Sequence, residues 1–140
     1  AFNLREMTNL ATPIIGFVIG EGGSGGALGI GVVDKVYVLE NAYYSVISPE
    51  GCAAILWKDR LKSDLAAQAL KITANELVKL GLIDGVVKEP MGGAHKEPSF
   101  AANNISKVIK KELPELLLID KDLLLKKRYE KYRNIGKYCL

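Results

Sequence analysis

Apolar residues fall in short runs along this chain, and the spacing within a run changes from segment to segment. Ile14-Ile15-Gly16-Phe17-Val18-Ile19 is continuously apolar with β-branched content, the pattern of a parallel strand buried on both faces. Lys35-Val-Tyr-Val-Leu39 and Tyr43-Tyr-Ser-Val-Ile47 alternate like two further strands, with Glu40-Asn41-Ala42 turning between them, and Leu82–Val87 reads as a short strand. Helical spacing takes up much of the remainder. Phe2–Leu10 reads as a helix already under way, stopped by Thr12-Pro13, and Ala27–Val33 as a short helix. That short helix has no polar side chain, so it belongs inside the protein. Ser48 as N-cap and Pro49 at the first helical position open a helix through Trp57. Lys58–Ser63 is a polar break, and Asp64–Leu70 is alanine-rich and helical. Thr73-Ala-Asn-Glu76 has capping-box spacing and starts a helix to Leu80, closed by Gly81. After a loop over Glu89–Pro98, Phe100–Leu113 predicts a helix broken at Pro114. A last helix over Lys121–Asn134 carries Leu125, Tyr129 and Tyr132 on one stripe. Strand and helix alternate, which makes the fold class α/β.

One stretch breaks the pattern. Gly20–Gly31 reads G-E-G-G-S-G-G-A-L-G-I-G, with seven of the chain's fourteen glycines in twelve residues. Glycine permits φ > 0 and lets the backbone approach a ligand closely. A strand, a glycine turn and a helix start aim several N–H groups at one point, where the helix dipole favours negative charge. The stretch is built to hold an anion, or an oxygen that becomes anionic during a reaction.

Composition narrows the reading. With 140 residues, 49% hydrophobic and 25% charged, the chain is at most one domain with enough apolar material for a core. No apolar run is long enough to span a bilayer, and Ala1–Glu6 lacks a signal-peptide layout, so no membrane partner is expected. Cys52 and Cys139 are far apart, which fits a reducing compartment better than a disulfide. There is no start methionine, and the chain reads as a fragment. Lys121–Tyr138 holds seven basic residues against Asp122 and Glu130, a segment of +5 that leaves the rest at −2. Its plain reading is a solvated helix face, and the alternative is a basic surface for CoA phosphates or a partner. Base-reading or aromatic-interleaved motifs are absent, which weighs against nucleic acid.

Side-chain chemistry is sparse. His95, in Gly92-Gly93-Ala94-His95, is the single histidine, and no His, Cys and carboxylate cluster has metal spacing, so no metal is expected on this chain. Gly20-x-Gly22-x-x-Gly25 matches a dinucleotide fingerprint, with Glu40 twenty residues on. Against it, Ala27–Val33 lacks the polar outer face of a crossover helix, and the next strand arrives too soon. No Gly-Lys-Ser/Thr follows the glycines, so a phosphate-binding P-loop is excluded. What remains is the backbone of the glycine turn, as a device that stabilises an oxyanion. Ser45–Ala53 is a strand-to-helix joint whose Pro49–Gly51 turn is expected beside the glycine turn, with Glu50 either a polar wall or a complement to the helix dipole.

The stretch G-E-G-G-S-G-G-A-L-G-I-G, then Y-S-V-I-S-P-E-G-C-A-A-I-L-W-K, then L-I-D-G-V-V-K-E-P-M-G-G-A-H resembles one family. That family is the carboxyltransferase α subunit of the multisubunit acetyl-CoA carboxylase of bacteria and plastids. The resemblance runs from Asn3 to about Tyr138. It implies a partial crotonase-type (ClpP/crotonase) β-β-α superhelix with C-terminal helices. Residues 1–140 would be the C-terminal part of one carboxyltransferase domain, closed by a helical segment at 99–140. It also implies carboxyl transfer from carboxybiotin, on a biotin carboxyl carrier protein, to acetyl-CoA, giving malonyl-CoA for fatty-acid synthesis. The implied partner is a zinc-ribbon β subunit in an α2β2 assembly, in a bacterial cytoplasm or plastid stroma.

Carried over by position, Gly25 and Gly26 match the α-side oxyanion hole, whose amides would bind the ureido oxygen of biotin. Gly22, Gly23, Ser24 and Ala27 would shape the turn, and Ser48, Pro49, Glu50 and Gly51 the adjacent wall. The resemblance places proton removal from acetyl-CoA on biotin, which agrees with the lack of an evident protein base. The chain covers about the C-terminal half of such a subunit, so apolar edges and no activity of the fragment alone are expected.

Overall fold

The computed structural model describes residues 2–136; Lys137, Tyr138 and Cys139, which entered the charge, resemblance and cysteine readings, lie outside the described residues. The core is a parallel three-stranded sheet, β1 (Ile15–Val18), β3 (Lys35–Leu39) and β5 (Gly85–Val87), in the order β1-β3-β5. The middle strand explains itself. Val36 to Leu39 are all buried, as a strand with neighbours on both edges and cover on both faces requires. β1 departs from the expectation of full burial: Val18 is buried, whereas Ile15, Gly16 and Phe17 are half-buried, because β1 pairs on one edge only. Gly16 lets the helix above it come close. A Cβ there would lie 2.8 Å from the Ile30 carbonyl oxygen.

The strand after the turn at 40–42 does not join this sheet. β2 (Glu21–Gly23), inside what the sequence reads as a turn, pairs in parallel with β4 (Tyr43–Ser45), Gly23 opposite Ser45. Gly20 supports the pairing through its carbonyl, which accepts from the Tyr43 amide at 3.0 Å. Both strands then lead toward helix starts: α2 (Ser24–Gly31) follows β2 at once, and α3 (Pro49–Leu56) follows β4 after three residues. α2 begins before Ala27 and is not enclosed: Ala27 and Gly31 are buried, but Leu28 is 56% exposed. One side of this all-apolar helix therefore has no cover within the described residues.

α3 is capped as predicted, Ser48 Oγ accepting from the Gly51 amide at 3.1 Å with Pro49 in the first turn. The polar break holds a 3-10 turn over Arg60–Lys62, capped by Asp59, before α4 (Ser63–Leu70). α5 (Ala74–Lys79) ends at Gly81 with φ +69, as expected, but Thr73 makes no side-chain cap. Its hydroxyl donates to Glu76 Oε2 at 2.9 Å instead. Pro114 does not break its helix: α6 runs through it from Pro98 to Leu117. Glu112 and Leu116, on either side of the proline, are both buried, and that anchorage carries the helix past the missing N–H.

The largest departure is in α7 (Lys121–Arg133). Its buried residues are Leu124 and Arg128; of the expected stripe Leu125 and Tyr132 are half-buried, whereas Tyr129 is 65% exposed. Arg128 forks onto Asp34, Nε and Nη2 each 2.8 Å from a carboxylate oxygen. Nη1 donates to the carbonyls of Met7, Thr8 and Leu10, and Nη2 to Thr12. One side chain thus ties together the end of α1 (Phe2–Thr8), the approach to β1 and the turn before β3. Lys131 reaches Asp84 at 2.7 Å, and Lys126 lies 3.9 Å from Glu130. Arg128 and Lys131 are structural ties, which corrects the solvated or partner-facing reading for these two residues, whereas Lys121, Lys126, Lys127 and Arg133 are exposed as that reading expects.

Candidate active site

The glycine helix starts abruptly. Its N-cap, Gly23, has no side chain to accept a hydrogen bond, so the Ser24, Gly25 and Gly26 amides head the first turn with no partner inside the helix. Ser24 stands at φ +49, a conformation costly for a residue with a Cβ, and so swings the chain from β2 into the helix within one residue. Gly25 and Gly26 are exposed, and a Cβ built on either meets nothing within 4 Å. Packing within this chain does not explain these two glycines. They leave an uncovered path to the first-turn amides, where the helix dipole is positive.

The neighbouring glycines have other causes. At Gly22 a Cβ would stand 2.9 Å from Tyr44 Cδ2 and 3.0 Å from Val18 Cγ1, and at Gly31 it would stand 2.5 Å from the Tyr44 hydroxyl oxygen. Gly23 faces open space, as Gly25 and Gly26 do. Ala27 turns inward, 3% exposed, and its carbonyl accepts from the Tyr44 hydroxyl at 2.8 Å. Gly22 and Ala27 therefore shape the back of the turn, not its open face. Behind the helix lies an apolar cavity of about 280 Å3 lined in part by Ser24, Ala27, Tyr44, Val46 and Tyr132.

The second stretch named from the sequence is placed less directly. The pairing of Gly23 with Ser45 brings the two strands together, but the lining of that cavity stops at Val46. Ser48 and Gly51 are engaged with each other in the α3 cap, and Gly51 is glycine because a Cβ would stand 3.0 Å from Ile47 Cγ1. Glu50 is exposed in the first turn of α3. It is near enough to Tyr43 to help push that phenol upward, after burial and Glu21. His95 lies elsewhere, exposed at an open cleft of about 620 Å3 with Ile19, Asn41 and Glu89, beyond the carboxyl ends of β1, β3 and β5. Glu89 organises that loop, its carboxylate accepting from the Asn41 amide at 2.6 Å and the Ala94 amide at 2.8 Å.

Charged groups cluster on the opposite side of the sheet. Burial alone would raise Asp84, but Lys131 at 2.7 Å, the Val36 amide at 2.7 Å and Lys35 at 3.4 Å hold it below the ordinary carboxylate value. Glu112 behaves alike: burial opposes ionisation, and the Tyr37 hydroxyl with Lys111 and Lys35 outweighs it. Burial and the same Glu112 push the Tyr37 phenol far up. These groups lock α6 and α7 to the sheet. Among the described residues, no group of three or more His, Cys, Asp or Glu is placed to hold a metal ion, and no helix is long and apolar enough to cross a membrane.

The sequence reading missed the role of Tyr44 and the Arg128–Asp34 pair, and it placed Tyr132 on a helix stripe without its hydrogen bonds to Val33. Tyr44 had one available signal, since alternation over Tyr43–Ser45 sends one of the two tyrosines toward the glycines of the paired strand.

What remains at the open face is a set of backbone donors, with no ionisable side chain among residues 23 to 27, and comparison with known proteins gives this arrangement a context. A profile of the family described as "Acetyl co-enzyme A carboxylase carboxyltransferase-like" matches residues 1–136. The chain belongs to that family. It is 54% identical over 136 residues to the acetyl-coenzyme A carboxylase carboxyl transferase subunit alpha of Fusobacterium nucleatum, covering 97% of this chain and 44% of that protein. The subunit of the same name from Bacillus cytotoxicus is 57% identical over 136 residues, covering 97% and 42%. The chain thus spans less than half the length of these relatives. Among solved structures it resembles a chain of a Pseudomonas malonate decarboxylase hetero-tetramer in complex with coenzyme A. The TM-score is 0.67 at 16% identity, over 89% of this chain and 49% of that one. The transcarboxylase 12S core matches with a TM-score of 0.52 at 19% identity, over 76% and 21%. At such identities these two speak for the fold alone, and they agree with the partial crotonase-type arrangement expected from the sequence.

Proposed function

We propose that this chain is the donor-bearing part of a carboxyltransferase α subunit of acetyl-CoA carboxylase. In that role it takes part in moving a carboxyl group from carboxybiotin, on a carrier protein, to acetyl-CoA, which becomes malonyl-CoA. It belongs to the C-terminal part of one carboxyltransferase domain, with the helical segment from residue 99 onward closing it, and works with a β subunit in the cytoplasm or plastid stroma. Family membership supports the reaction class. The observation that carries the site is the contrast among the glycines: Gly22 and Gly31 are crowded from within, whereas Gly25 and Gly26 face open space at an uncapped helix start.

The residues fit the group they would receive. Side chains at 25 and 26 would occupy the approach to the first-turn amides, and their absence leaves room for a flat ring with an outward oxygen. Biotin supplies a carboxyl group on a ring nitrogen and a ureido oxygen that gains negative charge as that group departs. The Gly25 and Gly26 amides donate to that oxygen. Because they bind it more strongly charged than neutral, they lower the barrier and do not merely hold the ground state. The donors are fixed by the helix before reaction, so no reorganisation is needed at the moment of transfer.

The test uses the full-length subunit with its β partner, run as malonyl-CoA plus biocytin giving acetyl-CoA. Gly26→Ala keeps the amide but sets a methyl group in the approach. We expect kcat to fall by about a hundredfold, the size of losing one oxyanion donor. Thermal stability should hold, since that methyl meets nothing within 4 Å. Unchanged turnover in Gly26→Ala would remove the site.

A further inference from the structure

Tyr44 occupies a place made for it by two glycines. Its ring runs past Gly22, where a Cβ would stand 2.9 Å from Cδ2, and its hydroxyl reaches Gly31, where a Cβ would stand 2.5 Å from the oxygen. Between them the hydroxyl donates to the Ala27 carbonyl at 2.8 Å. Ala27 directly follows Gly26, so the contact is made one residue beyond the donors of the proposed oxyanion site. The ring comes from β4, whose neighbour in the sheet is β2, the strand leading into the helix. Tyr44 therefore touches the strand before the donors, the carbonyl after them and the far end of the same helix. Burial pushes its phenol up, so the hydroxyl stays a donor through the neutral range.

We propose that Tyr44 is a positioning residue: by holding the Ala27 carbonyl and spanning Gly22 and Gly31, it sets the angle at which the Gly25 and Gly26 amides meet the reacting oxygen. This rests on the oxyanion reading of Gly25 and Gly26. Other contacts fix the far end of the segment. Tyr132, from α7, accepts from the Val33 amide at 3.2 Å and donates to the Val33 carbonyl at 3.3 Å, beyond the helix. Tyr44 alone of the two hydroxyls engages the helix within one residue of the donors. A misplacement of about 1 Å is enough to cost a rate about a hundredfold.

The geometry permits a test that separates positioning from bulk stability. Tyr44→Phe removes the hydroxyl and keeps the ring. Gly31→Ala alone forces a methyl against the hydroxyl, but in the Tyr44→Phe background the nearest ring atom named at that place is Cζ, 3.8 Å away, an ordinary contact. In the full-length subunit with its β partner, Tyr44→Phe should lower kcat about tenfold with KM unchanged, in line with the sensitivity of rate to donor placement. Gly31→Ala alone should lower Tm. The double variant should recover Tm, because the clash is gone and alanine replaces glycine in a helix, while kcat stays low. The inference is overturned if Tyr44→Phe keeps kcat within twofold of wild type. It is overturned equally if kcat returns together with Tm in the double variant, since the hydroxyl would then serve folding only. Gly26→Ala tells the two failures apart. If it abolishes turnover while Tyr44→Phe does not, the positioning role fails alone; if it leaves turnover intact, the oxyanion reading fails and takes this inference with it.

Discussion

Arg128→Met is the sharpest test of how this chain is held together. The native guanidinium is 2% exposed and its carboxylate partner, Asp34, 4%. Six hydrogen bonds leave the side chain, two to Asp34 and four to main-chain carbonyls between Met7 and Thr12. Methionine fills much of the volume and makes none of them. Asp34 then keeps the Ile14 amide, at 2.8 Å, but loses its counter-charge in a place water does not reach. Breaking a buried pair in this way costs about 3–5 kcal/mol, most of it the penalty of an uncompensated charge. For a domain of this size that is a fall in Tm of roughly 10–20 °C. Arg128→Lys should also lose, because an ammonium cannot fork onto a carboxylate while reaching four carbonyls. Adding Asp34→Asn to Arg128→Met should cost less than the two single changes summed, since no charge is left unpaired. Equilibrium urea unfolding followed by circular dichroism measures all four variants. A loss under about 1 kcal/mol for Arg128→Met, the worth of an exposed pair, would refute the buried tie.

Two further outcomes follow from the same geometry. Asp84 and Glu112 are both held below their ordinary values of 3.8 and 4.5, so their stabilisation is complete above those values and lost as pH falls through the depressed ones. The urea midpoint should be level from about pH 7 to 5 and decline below about pH 4, and Lys131→Met should flatten that decline by removing the closest cation from Asp84; an acid limb unchanged in Lys131→Met would sink this assignment. Pro114→Ala restores an N–H inside α6 and should raise stability by about 1–3 kcal/mol in a thermal melt. A lower Tm would mean instead that Pro114 itself helps seat Glu112 and Leu116.

Strands and helices whose own residues carry the period were legible from the sequence. The strand at Lys35–Leu39, the Ser48-Pro49 start and the Gly81 stop each act within a few residues, and each stands where the pattern places it, although Val36 to Leu39 are buried without the alternation their spacing suggests. Pairing was not legible. Periodicity shows that a segment has a buried face but not which strand lies beside it, so nothing in the sequence reading pairs β4 with β2. Arg128 was hidden for a related reason. A guanidinium in a run of lysines looks solvated until Asp34, ninety-four residues away, and the open carbonyls after α1 are brought to it by the fold. The candidate site was legible in part because it is made of backbone. The glycine stretch announces a need for close approach, and the family resemblance singles out 25 and 26, but seven glycines in one stretch do not say which face open space and which make room for Tyr44.

That division has a consequence for how the site tolerates change. The open face of α2 has main-chain donors and no ionisable side chain among Gly23 to Ala27, so substitutions that alter only charge have nothing there to act on. If the two proposals hold, its weak points are shape at 25 and 26 and the aim set by Tyr44. Gly22 and Gly31 are crowded, with distances of 2.5 to 3.0 Å from ideal Cβ positions to Tyr44 and Val18, whereas a Cβ at 25 or 26 meets nothing within 4 Å. A helix pressed on one side and free on the other holds its first-turn amides still without covering them. On the proposed reading, donors fixed before reaction and reached through open space would suit a reaction whose charge arrives on a group carried in from outside this chain.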